Sequence, residues 1–230
     1  MAKRETAPLP VAGITEHHLS VPRTARYYLH GDPGSARHAW LGCHGYGQLA
    51  GAFIGYLSTA ASATRLLIAP EALSRFYHDN GLGPIGASWM TKEDRQHEID
   101  DYLRYLDQVQ SELRARLPAD HRLFALGFSQ GVATVSRWLL GGKSELAGLI
   151  VWAGTVAPEL NPAALAPRLS GKRVALVAGS KDEYVTPAWF EKEHRRFTEA
   201  GAECRDFHFH GGHRLDRVIL AQAMEFVEGD

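Results

Sequence analysis

Short apolar runs recur along this 230-residue chain, separated by longer stretches in which apolar positions fall every three or four residues. The runs are 38–45 (HAWLGCHG), 65–70 (RLLIAP), 122–129 (RLFALGFS), 146–154 (LAGLIVWAG) and 172–180 (KRVALVAGS). Each is nearly continuous rather than alternating, which predicts strands buried on both faces, as in a parallel sheet covered by helices. A sixth run, 204–210 (CRDFHFH), alternates more and is expected nearer an edge. Between 93 and 117, Ile99, Tyr102, Leu103, Leu106, Val109 and Leu113 recur at helical spacing, predicting one long amphipathic helix stopped by Pro118. Segment 187–200 opens on Thr186-Pro187, a favourable helix start, and 215–227 reads as a closing amphipathic helix. Ahead of the first buried run, ITEHHLSVP and ARYYLHG predict two antiparallel strands joined by a turn. The fold class that follows is α/β, with a mostly parallel central sheet and helices on both faces.

No repeat, low-complexity tract or charge block divides the chain, and 45% hydrophobic content over this length suits one core. Residues 14–230 are therefore expected to form a single domain, with 1–13 a flexible N-terminus. Twenty-five Lys and Arg against 26 Asp and Glu leave a net charge of −1. That balance lacks the electrostatic footprint of a nucleic-acid binder or a peripheral membrane protein, and it fits a small neutral partner. The N-terminus carries no apolar stretch of signal-peptide kind, and the longest apolar run is too short to span a bilayer, so no membrane insertion is expected. Cys43 and Cys204 make no disulfide framework and sit in no CxxC pair or other metal-ligand spacing; a reducing cytoplasm is the expected compartment.

One segment resists assignment. EALSRFYHDNGLGPIGASWM, residues 71–90, reads as a loop of about twenty residues, a length that in a compact domain is usually functional. Its aromatic content argues for order. Placed over the carboxyl ends of the strands, where α/β proteins bind ligands, it makes Phe76, Tyr77, Trp89 and Met90 candidates for an apolar wall around a substrate.

Candidate chemistry centres on Gly127-Phe128-Ser129-Gln130-Gly131, between a predicted strand and the helix-like VATVSRWLL. That is the context of a nucleophile elbow, in which a sharp strand-to-helix turn lifts a serine hydroxyl above the sheet and side chains at the flanking glycines would collide with neighbours. A serine needs a base, and the base needs an orienting group. In elbow-bearing hydrolases the acid follows the serine and the histidine comes last. Asp182 lies in the loop after the run at 172–180, and His213 lies in a glycine-rich loop after the run at 204–210, both at the sheet edge that carries Ser129. Glu183 adjoins Asp182, but Asp182 comes first after the strand. His208, His210 and His213 also admit reading as an HxHxxH metal cluster, yet no carboxylate or cysteine nearby completes a recognisable ligand spacing. Neither a metal nor an organic cofactor is expected. For a developing oxyanion, the backbone amides of Gln130 and Tyr46 are the expected donors, the latter within CHGYGQ after the first buried run, with His44 steadying that loop.

CHGYGQ, APEA, GASWM, GFSQGVAT, GSKDEYVTP and GGH occur in the order found in the phospholipase/carboxylesterase family of α/β-hydrolases, which this chain resembles over about residues 37–228. The resemblance implies an α/β-hydrolase fold and Ser129 as nucleophile, His213 as base, Asp182 as orienting acid, and the Tyr46 and Gln130 amides as oxyanion hole. Two positions depart from the family pattern: Gln48, where an Asp is usual, and Val132, where a small residue is usual. Only about twenty residues separate Gly154 from Lys172, too few for a helical cap, so an open site is expected. The expected activity is hydrolysis of small carboxylic esters with short to medium acyl chains. Thioester or lysophospholipid cleavage at the same site and a non-catalytic ligand-binding homologue are the alternatives.

Overall fold

The computed structural model describes residues 13–79 and 81–229, so the expectation of a flexible N-terminus falls, but for Gly13, outside the described residues. Seven strands form one sheet: β1 (Tyr27–His30), β2 (His38–Cys43), β3 (Arg65–Pro70), β6 (Arg122–Phe128), β7 (Gly148–Trp152), β8 (Arg173–Gly179) and β9 (Glu203–Phe209). Their spatial order is β1-β3-β2-β6-β7-β8-β9, all parallel except β1, which pairs antiparallel with β3. Every predicted buried run becomes a strand, and β9 takes an edge as its alternation implied.

The alternation of side chains across the strands sorts them into two cores. Leu41, Leu123, Ala125, Val151 and Leu176 face one layer, covered by α2 (Arg95–Arg114), α3 (Gln130–Gly141), α4 (Pro162–Leu169) and α5 (Pro187–Glu199). Trp40, Phe124, Leu126, Ile150 and Val177 face the other, covered by α1 (Ala50–Leu57) and α6 (Arg217–Glu228). Apolar burial on both faces is what removes the strands from water and holds the layers together. Trp40 also carries a polar edge inward, and its Nε1 donates to Glu228 at 2.7 Å, a carboxylate held as well by the Arg65 guanidinium. No helical cap interrupts the described chain between β7 and β8, where α4 supplies the sole helix.

Two readings of the sequence need correction. The segment ITEHHLSVP is not a strand; residues 14–26 have no regular structure. Its apolar side chains Ile14, Leu19 and Val21 all stand in solvent, so no buried face exists for a strand to present. The loop at 71–90 is partly ordered as a hairpin, β4 (Ser74–Tyr77) with β5 (Ile85–Ser88), a two-stranded sheet apart from the main one. Its short strands alternate too little to stand out from a loop.

Candidate active site

The turn from β6 into α3 passes through Ser129, whose φ of 53° and ψ of −118° lie where L-residues are strained. Surroundings fix this geometry. The Ser129 amide donates to the Trp152 carbonyl at 2.9 Å, tying the turn to β7. A methyl group at Gly131 would come within 2.0 Å of the Cys43 oxygen, and one at Gly127 within 2.5 Å of the Val132 backbone. The two glycines thus allow α3 to start directly against β2.

Two further strands deliver the partners. The loop after β8 carries Asp182, whose side chain is fully buried. One of its oxygens accepts from the Tyr184 amide at 2.9 Å and the other from His213 Nδ1 at 2.9 Å. The loop after β9 carries His213, and its Nε2 lies 2.9 Å from Ser129 Oγ. With Nδ1–H directed at the carboxylate, Nε2 is the ring atom free to accept the serine proton. The sequence-predicted Ser129, Asp182 and His213 are therefore brought into one hydrogen-bonded line. Both ring nitrogens of His213 are engaged in it, and His208 packs against Phe190, so the HxHxxH reading is not supported.

The loop after β2 faces the elbow. Its buried His44 accepts the Ala72 amide at Nε2, which leaves the proton on Nδ1 to donate to the Gly45 carbonyl at 2.8 Å. Burial lowers the His44 pKa, consistent with a neutral ring. Gln48 caps the same loop, accepting the Gly45 amide at 2.8 Å, so the residue that departs from the family pattern still closes the turn. The Gly45 and Gly47 amides are bonded to Gln48 and Ala87, with that of Tyr46 between them. Gln130 opens α3, and amides in the first turn of a helix have no intrahelical acceptor. Beneath the loop, the side chain of Glu71 is fully buried. Burial alone would raise its pKa, but Arg26 and Arg75 outweigh that and hold it below the usual carboxylate range. Arg26 grips it through two nitrogens, Arg75 through one at 2.6 Å, and the Ala50 amide adds a fourth donor.

The four candidates for the apolar wall separate. Trp89 is only 2% exposed; it lies in the core beside His44 and Tyr102 and donates from Nε1 to the His44 carbonyl at 2.9 Å. That places it behind the loop, not against a substrate, because its indole fills core volume and spends its polar edge on the backbone. Met90 is half-buried, its carbonyl taken by Gln130 Nε2 and its sulfur against Arg137. Phe76 stacks on the exposed Tyr46 ring at 5.0 Å, and Tyr77 is exposed on the hairpin. The accessible recess at His213 lies elsewhere: about 460 Å³ lined by Gln48, Tyr56, Phe128, Leu215 and Val218, with Arg214, Asp216 and Arg217 at the start of α6. Sequence reasoning missed these, and it missed Tyr184, 74% exposed and edge-on to the His213 ring at 4.8 Å. The Asp182-x-Tyr184 spacing, an Asx turn, was the available signal.

A profile of the phospholipase/carboxylesterase family matches residues 35–229. The chain belongs to that family. As a member of the phospholipase/carboxylesterase family it is a hydrolase of the esterase or thioesterase kind. No curated protein sequence matches it significantly. Among solved structures, a carboxylesterase from Mesorhizobium loti is 22% identical, with TM-score 0.71 over 90% of this chain and 95% of the other. Esterase PE8 is 22% identical with TM-score 0.67, and acyl-protein thioesterase 2 of Zea mays is 18% identical with TM-score 0.67; each covers 90% of this chain and 99% of its own. At these identities the likeness is one of fold, and it agrees with the expected α/β-hydrolase architecture. No helix among the described residues is long and apolar enough to cross a membrane.

Proposed function

We propose that this family member hydrolyses carboxylic esters of short to medium acyl chains, with Ser129 as nucleophile, His213 as general base and Asp182 as the group that orients it. The observation that carries the reading is the pair of 2.9 Å contacts on the two nitrogens of His213. As Ser129 Oγ bonds to the ester carbonyl carbon, its proton passes to His213 Nε2, and the negative charge moves onto the carbonyl oxygen. The Tyr46 and Gln130 amides receive that oxyanion. Collapse expels the alkoxide, which takes the proton from His213, and leaves an acyl-enzyme. Water, deprotonated by the same nitrogen, then releases the acid. This sequence uses no metal or organic cofactor.

The recess beside His213 holds one arm of the ester against Phe128, Tyr56 and Val218. Its modest volume and open mouth favour small substrates over long acyl chains.

Intact-protein mass spectrometry after exposure to a fluorophosphonate tests the assignment. One adduct is expected on the wild type and none on Ser129→Ala, with ester hydrolysis falling at least about 10⁴-fold in the variant. An adduct retained by Ser129→Ala, or hydrolysis undiminished, sinks the mechanism. Oxygen and sulfur esters of one acyl chain, assayed in parallel, separate esterase from thioesterase preference.

A further inference from the structure

On the opposite side of β8 from the elbow, α5 packs against the outermost strand β9. Cys204 and Asp206 stand two apart on β9 and so share one face of the strand. His194 reaches them from α5, with its Nδ1 2.9 Å from Asp206 Oδ1. Potential ligand atoms of His194, Cys204 and Asp206 all lie within 4.8 Å of one another. Zinc bonds of about 2.0–2.3 Å place tetrahedral ligands roughly 3.5 Å apart, so side-chain rotations, without backbone movement, bring the three into range. The donors are a thiol, an imidazole and a carboxylate, the ligand types zinc takes, and a helix and a strand hold them rigidly. A recess of about 500 Å³ lined by Phe190, His194 and Asp206 opens beside them, leaving room for a fourth ligand from water.

We propose that His194, Cys204 and Asp206 form a site for a borderline-soft divalent cation, zinc by preference, that clamps α5 to β9. No motif in the chain announces it, because nine residues and a change of element lie between His194 and Cys204. The clamp sits on the strand that runs directly into the His213 loop. It is independent of the hydrolytic chemistry and uses none of the residues assigned to it.

Cobalt(II) titration of the purified, chelator-treated protein tests the site, because a thiolate ligand gives a charge-transfer band that nitrogen and oxygen ligands do not. The expected result is a thiolate band saturating at one equivalent, displaced by zinc, absent from Cys204→Ser and requiring at least tenfold more cobalt in His194→Ala. Cys43, fully buried in the core, contributes no band. Circular dichroism checks that each variant is folded; the partly exposed His194 makes its replacement the safer one should Cys204→Ser misfold. A wild type without the band, a band that survives Cys204→Ser, or undiminished cobalt affinity in His194→Ala overturns the proposal. So does binding lost in His97→Ala instead, which locates the cation at the exposed His18, Asp94 and His97 cluster.

Discussion

Two histidine–aspartate pairs in this molecule share the same contact, imidazole Nδ1 against a carboxylate oxygen at 2.9 Å, yet they occupy opposite circumstances. In His213–Asp182 the carboxylate is fully buried, both its oxygens are bonded, and the far ring nitrogen meets a strained serine. In His194–Asp206 both partners are partly exposed, and the third group is Cys204, whose thiol burial, with Asp206 adding to it, pushes up to about 12. A thiol so hard to ionise is no nucleophile at neutral pH. The contact distance is thus silent about chemistry. What surrounds the carboxylate, and what faces the other nitrogen, separates a buried line ending on a serine hydroxyl from a surface pair that a cation could recruit.

The sharpest way to break the comparison is to neutralise each carboxylate. Asp182→Asn leaves the ring position nearly intact but removes the charge that selects the tautomer, and ester hydrolysis is expected to fall about 10²–10⁴-fold with little loss of stability. Steady-state kinetics beside a denaturation curve checks both halves. Next in size, Glu71→Gln removes the buried charge that Arg26 and Arg75 converge on and is expected to cost about 2–4 kcal/mol by urea unfolding. A loss under about 0.5 kcal/mol would show that the two arginines are already well solvated without it.

A smaller effect depends on pH. Burial holds the His44 pKa below the ordinary imidazole value of about 6.5, so between that value and the lower folded one the unfolded chain binds the extra proton. Stability from this group is therefore present above about pH 6.5 and declines as the pH falls below it. Glu193 works in the opposite sense: burial raises its pKa, so it favours the folded state most at acid pH and loses that contribution as pH rises through its folded value. Urea midpoints at pH 5.5 and 7.5 should differ less in His44→Asn than in the wild type; an equal difference rules out His44 as a source. Smallest of all, Asp206→Asn in metal-free protein is expected to change hydrolysis less than twofold and stability by under about 0.5 kcal/mol, as an exposed pair should.

The strands and the elbow could be read from the sequence because their constraints are local. Continuous apolar runs demand two covered faces, and glycines flanking Ser129 are required wherever α3 crosses β2 closely. Asp182 was singled out as the first carboxylate after β8, and His213 by chain order and its place between Gly212 and Arg214 in the glycine-rich loop after β9. What could not be read depends on packing between distant segments. Helix α1, written AGAFIGYL with two glycines, has no strong helical pattern; Gly51 lies where a side chain would press on the Tyr28 ring. Helix α4 is two turns long and contains Pro167. Trp89 looked like a wall residue because aromatic loop residues often are, and its burial beside Tyr102 and its bond to the His44 carbonyl reveal a core role. The recess at His213 is built from Tyr56, Phe128 and Val218, which lie on three elements far apart in the chain.

Gln130 has a consequence beyond its backbone amide. Its side chain accepts the Trp89 amide at 3.1 Å and donates to the Met90 carbonyl at 2.9 Å and to the Ser88 hydroxyl at 3.1 Å. The end of the hairpin is thereby stitched to the residue beside Ser129, so changes on that flank are expected to disturb the strained turn itself. Tyr56 and Val218 carry no such stitching and stand largely in solvent. For anyone reshaping the enzyme toward a new ester, the α1 and α6 side is the flank to vary, and the hairpin side is the one to leave alone.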